Sequence, residues 1–328
     1  MRKHLAGKSG LLAQILAWTV PPTVAAVTAI HQGVYNGGDA ILFVRFGRIL
    51  LSSQWDQAFS VSDIQAGPLQ LALYGWLGGS FEAMALVLAC GTALLVVAAT
   101  RAAGVRNPAL LGGAGLLAVA AGLTRTGYSV GHPADAVLPL VWIIAADQAR
   151  RGNVWRAGLL VGLSAGLETW GILGVAVLAF APRLRAACVG VLVAASVVFL
   201  LFIPFVLGGH FEMLSFVWRV RPPSPISLLV ADGTPFGWPL RLVQAAIAVG
   251  AGVAVARLLR HSSHAVWAAP LAVVVARLQL DPLLYMYYLG GPQGPIFVGA
   301  AVGASRLRIL RRRQERPVLD DGLVRAVR

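Results

Sequence analysis

Between Arg185 and His210 the chain carries no charged side chain, and a run of that kind constrains the fold more than any other feature. A helix needs roughly 20 apolar residues to cross about 30 Å of hydrocarbon, and inside lipid every backbone amide needs an internal partner, so an uninterrupted run of this length must be helical. The run is not isolated. Hydrophobic residues make up 58% of the 328-residue chain and charged residues 12%, far from the balance of a water-soluble domain. The sequence therefore predicts an all-α polytopic membrane protein.

The formal charge of +14 invites a nucleic-acid reading, but the charges do not gather on one polar face. They fall in short clusters at the ends of the apolar runs: Arg2 to Lys8, Arg101 and Arg106, Arg150, Arg151 and Arg156, Arg183 and Arg185, Arg257 and Arg260, and a cluster from Arg306 onward. Such clusters mark the cytoplasmic side. No nucleic-acid partner is expected. Both termini are expected in the cytoplasm of a bacterial-type cell, with the membrane in question its cytoplasmic (inner) membrane. The stretch ending Val27, Thr28, Ala29 resembles a signal-peptide cleavage site, but the run before it is long and the chain beyond is itself polytopic, so an uncleaved first span is expected.

Hydropathy and flanking charge place spans at residues 11–30, 69–100, 108–124, 134–149, 187–207, 242–259, 266–280 and 288–304. The second is longer than one crossing requires, and Gly78 with Gly79 is a candidate break. Residues 157–182 have arginines at both ends, which calls for both ends on one side, yet are too few for two full crossings. A hairpin of two half-spans bending near Glu168, Thr169, Trp170 and Gly171 resolves the conflict. That makes about ten helical segments in one transmembrane domain, 1–305, followed by a basic cytoplasmic tail, 306–328, suited to anionic membrane lipids. Two loops on the outer side, 31–68 and 208–241, are too long to be simple turns and too aromatic to be disordered.

The first outer loop carries Gly38, Asp39 and then an amphipathic stretch. Asp39 reads either as an N-cap or as a general base at the membrane edge. Arg45, Arg48 and Ser52, at spacings of three and four, share one face, with Ile41, Leu42, Phe43, Phe46, Ile49 and Leu50 free to lie in the outer leaflet. The two arginines read either as a snorkelling interfacial face or as a grip on phosphate. Asp56 and Asp63 are rival carboxylates in the same loop. In the second loop, Arg219 and Arg221 stand on the outer side against the charge bias, as headgroup anchors or phosphate ligands, and His210 is a further site candidate. Arg277 and Asp281, four apart, either pair with each other or line a phosphate pocket. Glu82 and Glu168 are acids at candidate membrane depth, and His132 reads as a turn histidine or a site residue. Cys90 and Cys188, both in apolar runs, suggest neither a disulfide framework nor a thiolate metal site and read as small buried residues. No His, Cys or carboxylate cluster has metal-ligand spacing. No tightly held metal or other cofactor is expected, and a loosely bound Mg²⁺ or Mn²⁺ beside a donor phosphate stays open.

Several of these features, taken in order, resemble the GT-C superfamily of polyprenyl-phosphate-dependent glycosyltransferases, in particular actinobacterial-type mannosyl- and arabinosyltransferases. They are Gly38-Asp39 opening an amphipathic helix after the first span, Gly47-Arg48, the Trp55-Asp56 turn, and Gln65-Ala66-Gly67-Pro68-Leu69 entering the next span. Looser matches follow in Gly131-His132-Pro133, in Arg150-Arg151 before Ala157, Gly158 and Gly162, and in Leu280-Asp281-Pro282 with Tyr285, Tyr287 and Tyr288. The entry motif departs from the family in having Gly67-Pro68 for a double proline, and no large outer domain follows the last span. The resemblance implies inverting transfer of a sugar from a polyprenyl-phosphate donor to an envelope glycolipid or glycan acceptor, with Asp39 at the position of the family's base. A lipid donor needs a lateral groove and cations for its phosphate, and no nucleotide-type glycine-rich loop is present. A transporter or lipid flippase is the alternative that the many spans, the broken hairpin and Glu168 keep open.

Overall fold

The computed structural model describes residues 2–32 and 38–315; residues 316–328 of the expected tail lie outside them. Twelve α-helices are present among the described residues: α1 (Arg2–Gln32), α2 (Gly38–Leu50), α3 (Pro68–Leu77), α4 (Phe81–Ala102), α5 (Pro108–Ala120), α6 (Thr126–Val130), α7 (Pro133–Arg150), α8 (Val154–Leu167), α9 (Leu184–Leu207), α10 (Trp238–Leu258), α11 (Ala265–Gln279) and α12 (Gly290–Glu315). A twelve-residue 3₁₀ segment follows α8, Thr169–Phe180. The second long loop contains a minimal antiparallel pair, β1 (Trp218–Arg219) with β2 (Pro235–Phe236).

The chain is thus all-α and membrane-associated. Four helices, α1 from Gly10, α4, α9 and α10, are long and apolar enough to cross a membrane. The helices α5, α8, α11 and the 3₁₀ segment are apolar but shorter. Buriedness separates roles that hydropathy cannot. Helices α9 and α10 expose Leu192, Phe199, Leu200, Leu242 and Ile247, as lipid-facing spans do, whereas α7 buries Leu138, Leu140, Trp142 and Ile143 completely and forms the axis of the largest core cluster.

The long second span of the sequence reading is two helices. Ser80 caps α4, its hydroxyl accepting from the amide of Ala83 at 3.2 Å, and Gly78 and Gly79 fall in the break between α3 and α4. Glu82 accordingly lies exposed in the first turn of α4, next to its cap. Cys188 is exposed on α9 and Cys90 half-buried, so the expectation that both are buried fails: a small residue on a lipid-facing helix has nothing to bury it.

Residues 154–180 form the hairpin that the flanking arginines called for. A Cβ on Gly190, early in α9, would sit 3.2 Å from the carbonyl of Val154 and 3.0 Å from Leu178, so the start of α8 and the end of the 3₁₀ segment lie at one level. Glycines spaced by four on α8 let α9 approach closely, the small-residue packing common between membrane helices. Gly158 abuts Gly190, Gly162 abuts Val197 at 2.6 Å from its would-be Cβ, and Gly166 abuts Leu201 at 2.6 Å. Both numberings rise together, so α8 and α9 run parallel and the 3₁₀ segment returns between them. At the tip, the Gly67 amide donates to the Leu167 carbonyl at 2.8 Å and Ala66 bridges to Glu168, which joins the hairpin tip to the end of the first long loop. The two long loops also meet, through the Glu212 amide on the Phe59 carbonyl at 2.8 Å and Gln65 on the Met213 carbonyl at 3.2 Å. This is the loop end of the bundle; Arg150, Arg151 and Arg183 mark the opposite, arginine end.

Candidate functional site

At the loop end, three helix termini and the hairpin tip bring ionisable groups together. Helix α2 forms where the sequence placed it, and part of its apolar side is covered by protein while Ile41 stays exposed. Phe43, Val44, Phe46 and Gly47 are buried against the protein, and Gly47 and Gly75 touch backbone to backbone, leaving no room for a Cβ on either. That contact turns the first residues of α2 towards the start of α7. Asp39 directs its carboxylate not to the amides of its own helix, as a cap would, but to His132, with Oδ2 2.7 Å from Nε2.

His132 immediately precedes α7 and is fixed on several sides. Its ring stacks on Tyr287 with centroids 4.7 Å apart and planes 8° from parallel, and meets Phe43 edge-on at 5.7 Å. Its Nδ1 is buried with no hydrogen-bond partner among the described residues and lies 3.9 Å from Oε1 of Glu168 at the hairpin tip. Oε2 of Glu168 accepts from the Trp170 indole at 2.9 Å. Asp39 is half-exposed, at 52%, whereas His132 and Glu168 are largely buried, at 11% and 12%. The hydrogen bond from His132 holds the Asp39 carboxyl below its ordinary 3.8, against the opposing pull of partial burial. For His132, burial disfavours the charged ring, but the bond to Asp39 and the charges of Glu168, Asp135 and Asp39 outweigh it and raise its pKa above 6.5.

Beside this chain lies a second ionic group. Arg277 near the end of α11 meets Asp281 at 3.3 Å and Asp135, in the first turn of α7, at 3.7 Å. Its guanidinium covers the faces of Trp170 at 4.2 Å and Tyr288 at 5.3 Å. The pairing of Arg277 with Asp281 is thus present, and Asp135 is a further partner. Arg277 is thus held by two carboxylates and two rings.

A cavity of about 510 Å³ opens beside both groups. Its polar end is made by Glu168, Arg241, Gln244, Arg277 and Asp281, and its apolar wall by Ile172, Val198, Phe202 and Val206, with Trp218 and Trp238 at the margin. Arg241 donates to the Phe216 carbonyl at 2.6 Å and lies over Trp238 at 5.5 Å, and no carboxylate among the described residues forms an ion pair with it. A second cavity of about 540 Å³ is lined by Trp218, Arg219, Arg221, Pro222, Pro223 and Tyr285 among others. Arg219 donates to the Gly233 carbonyl at 3.0 Å.

The sequence candidates therefore divide. Asp39, His132, Glu168, Arg277, Asp281 and Tyr288 converge. Arg219 and Arg221 line the neighbouring cavity. Arg45 and Arg48 are exposed on α2 and line neither cavity; Arg48 donates to the Gly78 carbonyl at 2.7 Å, tying α2 to the break after α3. Asp56 faces Gln57, and Asp63 and His210 are exposed; all three stand apart from both cavities. Sequence reasoning missed Asp135 and Arg241. Asp135 follows His132 by three in the opening turn of an apolar helix, and Arg241 breaks the charge bias at the loop end as Arg219 and Arg221 do. Among the described residues no three His, Cys, Asp or Glu side chains are grouped to hold a metal ion.

Comparison of the chain with protein-family models, with curated proteins and with solved structures finds no match.

Proposed function

We propose that this protein is a membrane glycosyltransferase that moves a sugar from a polyprenyl-phosphate donor to an envelope glycolipid or glycan. In this reading the loop end faces outward from the bacterial cytoplasmic membrane, about ten helical segments build the membrane domain, and both termini are cytoplasmic. The observation that carries the reading is the 510 Å³ cavity, apolar along α9 and polar at the hairpin tip. A lipid-linked phosphosugar has the same division: its prenyl chain fits the wall of Val198, Phe202 and Val206, and its phosphate fits the cation without an acid partner, Arg241. A guanidinium presents a fixed fork of donors to oxyanions.

In the transfer, an acceptor hydroxyl oxygen attacks the anomeric carbon from the face opposite the phosphate. The carbon–oxygen bond to phosphate breaks, its electron pair leaves with the polyprenyl phosphate, and the configuration inverts. Arg241 stabilises the charge developing on the leaving oxygen. The hydroxyl proton passes to a carboxylate. The family resemblance gives that role to Asp39; in this fold Asp39 belongs to a chain with His132 and Glu168, and the base function is assigned to the three together.

The test is sugar transfer in proteoliposomes supplied with radiolabelled polyprenyl-phosphate sugars and a membrane-lipid extract as acceptor. Time-dependent labelling of a glycolipid or glycan is expected from the wild type, with Arg241→Gln raising the donor KM about tenfold, the effect of losing one charged hydrogen bond of roughly 1.5 kcal/mol. No transfer from a panel of hexosyl and pentosyl donors would overturn the reading. A transporter or flippase is the second reading, favoured by the re-entrant hairpin with its glutamate at the tip. It requires a path to the arginine end, and flux of labelled lipid across sealed vesicles without sugar transfer would establish it.

A further inference from the structure

We propose that Glu168, rather than Asp39, is the carboxylate that takes the acceptor's proton, and that His132 and Asp39 stand behind it as a positioned proton store. The inference rests on the glycosyl-transfer reading and deepens it. Three observations point this way. Of the chain's three members, only Glu168 lines the cavity. Asp39 is half exposed at the far end, separated from Glu168 by the whole imidazole ring. And Nδ1 of His132, buried and without a hydrogen-bond partner among the described residues, is aimed at Glu168 from 3.9 Å, a gap that a small side-chain movement closes once substrate fills the groove.

The geometry assigns each atom a task. Nε2 of His132 carries its hydrogen towards Asp39, as the 2.7 Å contact requires for a neutral ring beside a carboxylate, which leaves Nδ1 bare and able to accept. As the acceptor oxygen bonds to the anomeric carbon, its O–H bond breaks and the proton moves to Oε1 of Glu168, then to Nδ1. The imidazolium so formed lies between two carboxylates, and its stacking on Tyr287 prevents rotation. After product leaves, water entering the groove removes the proton from Nδ1 by way of Glu168, and the ring returns to its starting tautomer. Trp170 holds the other oxygen of Glu168 at 2.9 Å, so Oε1 is the free one. Glu168 is the catalytic residue, and Asp39 and His132 are positioning residues.

The groups facing His132 set its pH response: Asp39 from α2, Glu168 from the hairpin tip, Asp135 from α7 and Tyr287 from the segment before α12. The store works only while His132 is neutral, so transfer falls as pH drops through a His132 pKa that its acidic neighbours hold above 6.5. Asp39→Asn removes one of those neighbours and moves the acid limb to lower pH, while at high pH kcat falls about tenfold. Glu168→Gln lowers kcat at least a thousandfold at every pH, with donor KM within threefold; Glu168→Asp, which keeps the charge but shortens the reach, lies between. Asp63→Asn, an exposed acid outside the cluster, serves as the control at wild-type rate.

The experiment is the pH–rate profile of these variants in proteoliposomes, paired with ¹⁵N-histidine NMR of each in nanodiscs, which reads the His132 pKa without turnover and reports whether the variant is folded. Expected are a lowered His132 pKa in both Asp39→Asn and Glu168→Gln, together with the kinetic pattern above. Near-normal transfer by Glu168→Gln with Asp39→Asn dead at all pH values would overturn the proposal while leaving the transferase reading intact. So would a His132 pKa that responds to Asp39→Asn alone. A wild type that transfers no sugar overturns the reading on which it rests.

Discussion

Arg277 lies between Asp135 and Asp281 with aromatic rings on its faces, and removing one member of a buried ionic group leaves the rest uncompensated. Arg277→Met should therefore cost about 3–5 kcal/mol, read as a lowered unfolding midpoint in detergent micelles. The pair Asp39–His132 makes a different prediction, in pH. The carboxyl pKa is depressed on folding, so its contribution is present above 3.8 and lost as pH falls through the lower folded value. The histidine pKa is raised, so its contribution is present below 6.5 and lost as pH climbs through the higher folded value. Hydrogen exchange in α2, corrected for intrinsic rate, should be slowest between those limits and faster on both sides. The Arg277–Asp281 pair was legible in the sequence as a spacing of four at the end of an apolar run, with Asp281 just past the end of α11. The Asp39–His132 contact was not, because it joins residues 93 apart in the chain, and nothing local in either segment names the other. Asp135 and Arg241 had only faint local signals, an acid one turn after a histidine and an arginine at the sparsely charged end.

The element that best repays its sequence signal is the hairpin of α8 and the 3₁₀ segment. Arginines at both ends forced a reversal, and the glycines of α8 let α9 pack alongside. Gly162→Leu places a branched side chain where Val197 and Ala194 already stand and should destabilise by about 1–3 kcal/mol, whereas Gly113→Leu, with open space around it, should leave the midpoint unchanged. The thermal midpoints of the two variants check this. Helix α2 shows the reverse case. Its helical period was legible, but a periodic pattern says only that one side is apolar and not what covers it. The backbone contact of Gly47 with Gly75 sets protein against Phe43 and Phe46, on the helix whose start brings Asp39 to His132.

At the scale of the whole molecule, charge bias and hydropathy together define the class of fold, while the short apolar helices α5, α8 and α11 show why hydropathy alone does not count the spans: a helix buried by its neighbours need not be long enough to face lipid throughout. The direction of the hairpin makes a topological prediction. In a variant lacking Cys90 and Cys188, single cysteines replacing Arg156 and Arg183 should react with an impermeant maleimide from the same side of sealed vesicles, and a cysteine replacing Asp63 from the other. In the proposed transferase the groove between α9, α10 and the hairpin tip takes a lipid phosphate. A polyprenyl phosphate with a photoreactive group near the head of its chain tests it most directly, by mass-spectrometric mapping of adducts in proteoliposomes. Adducts are expected on Ile172, Val198, Phe202 and Val206, suppressed by excess unlabelled polyprenyl phosphate and weakened by Arg241→Gln. Adducts spread over α1 and the outer faces of α9 and α10, indifferent to competitor and to Arg241, would contradict it.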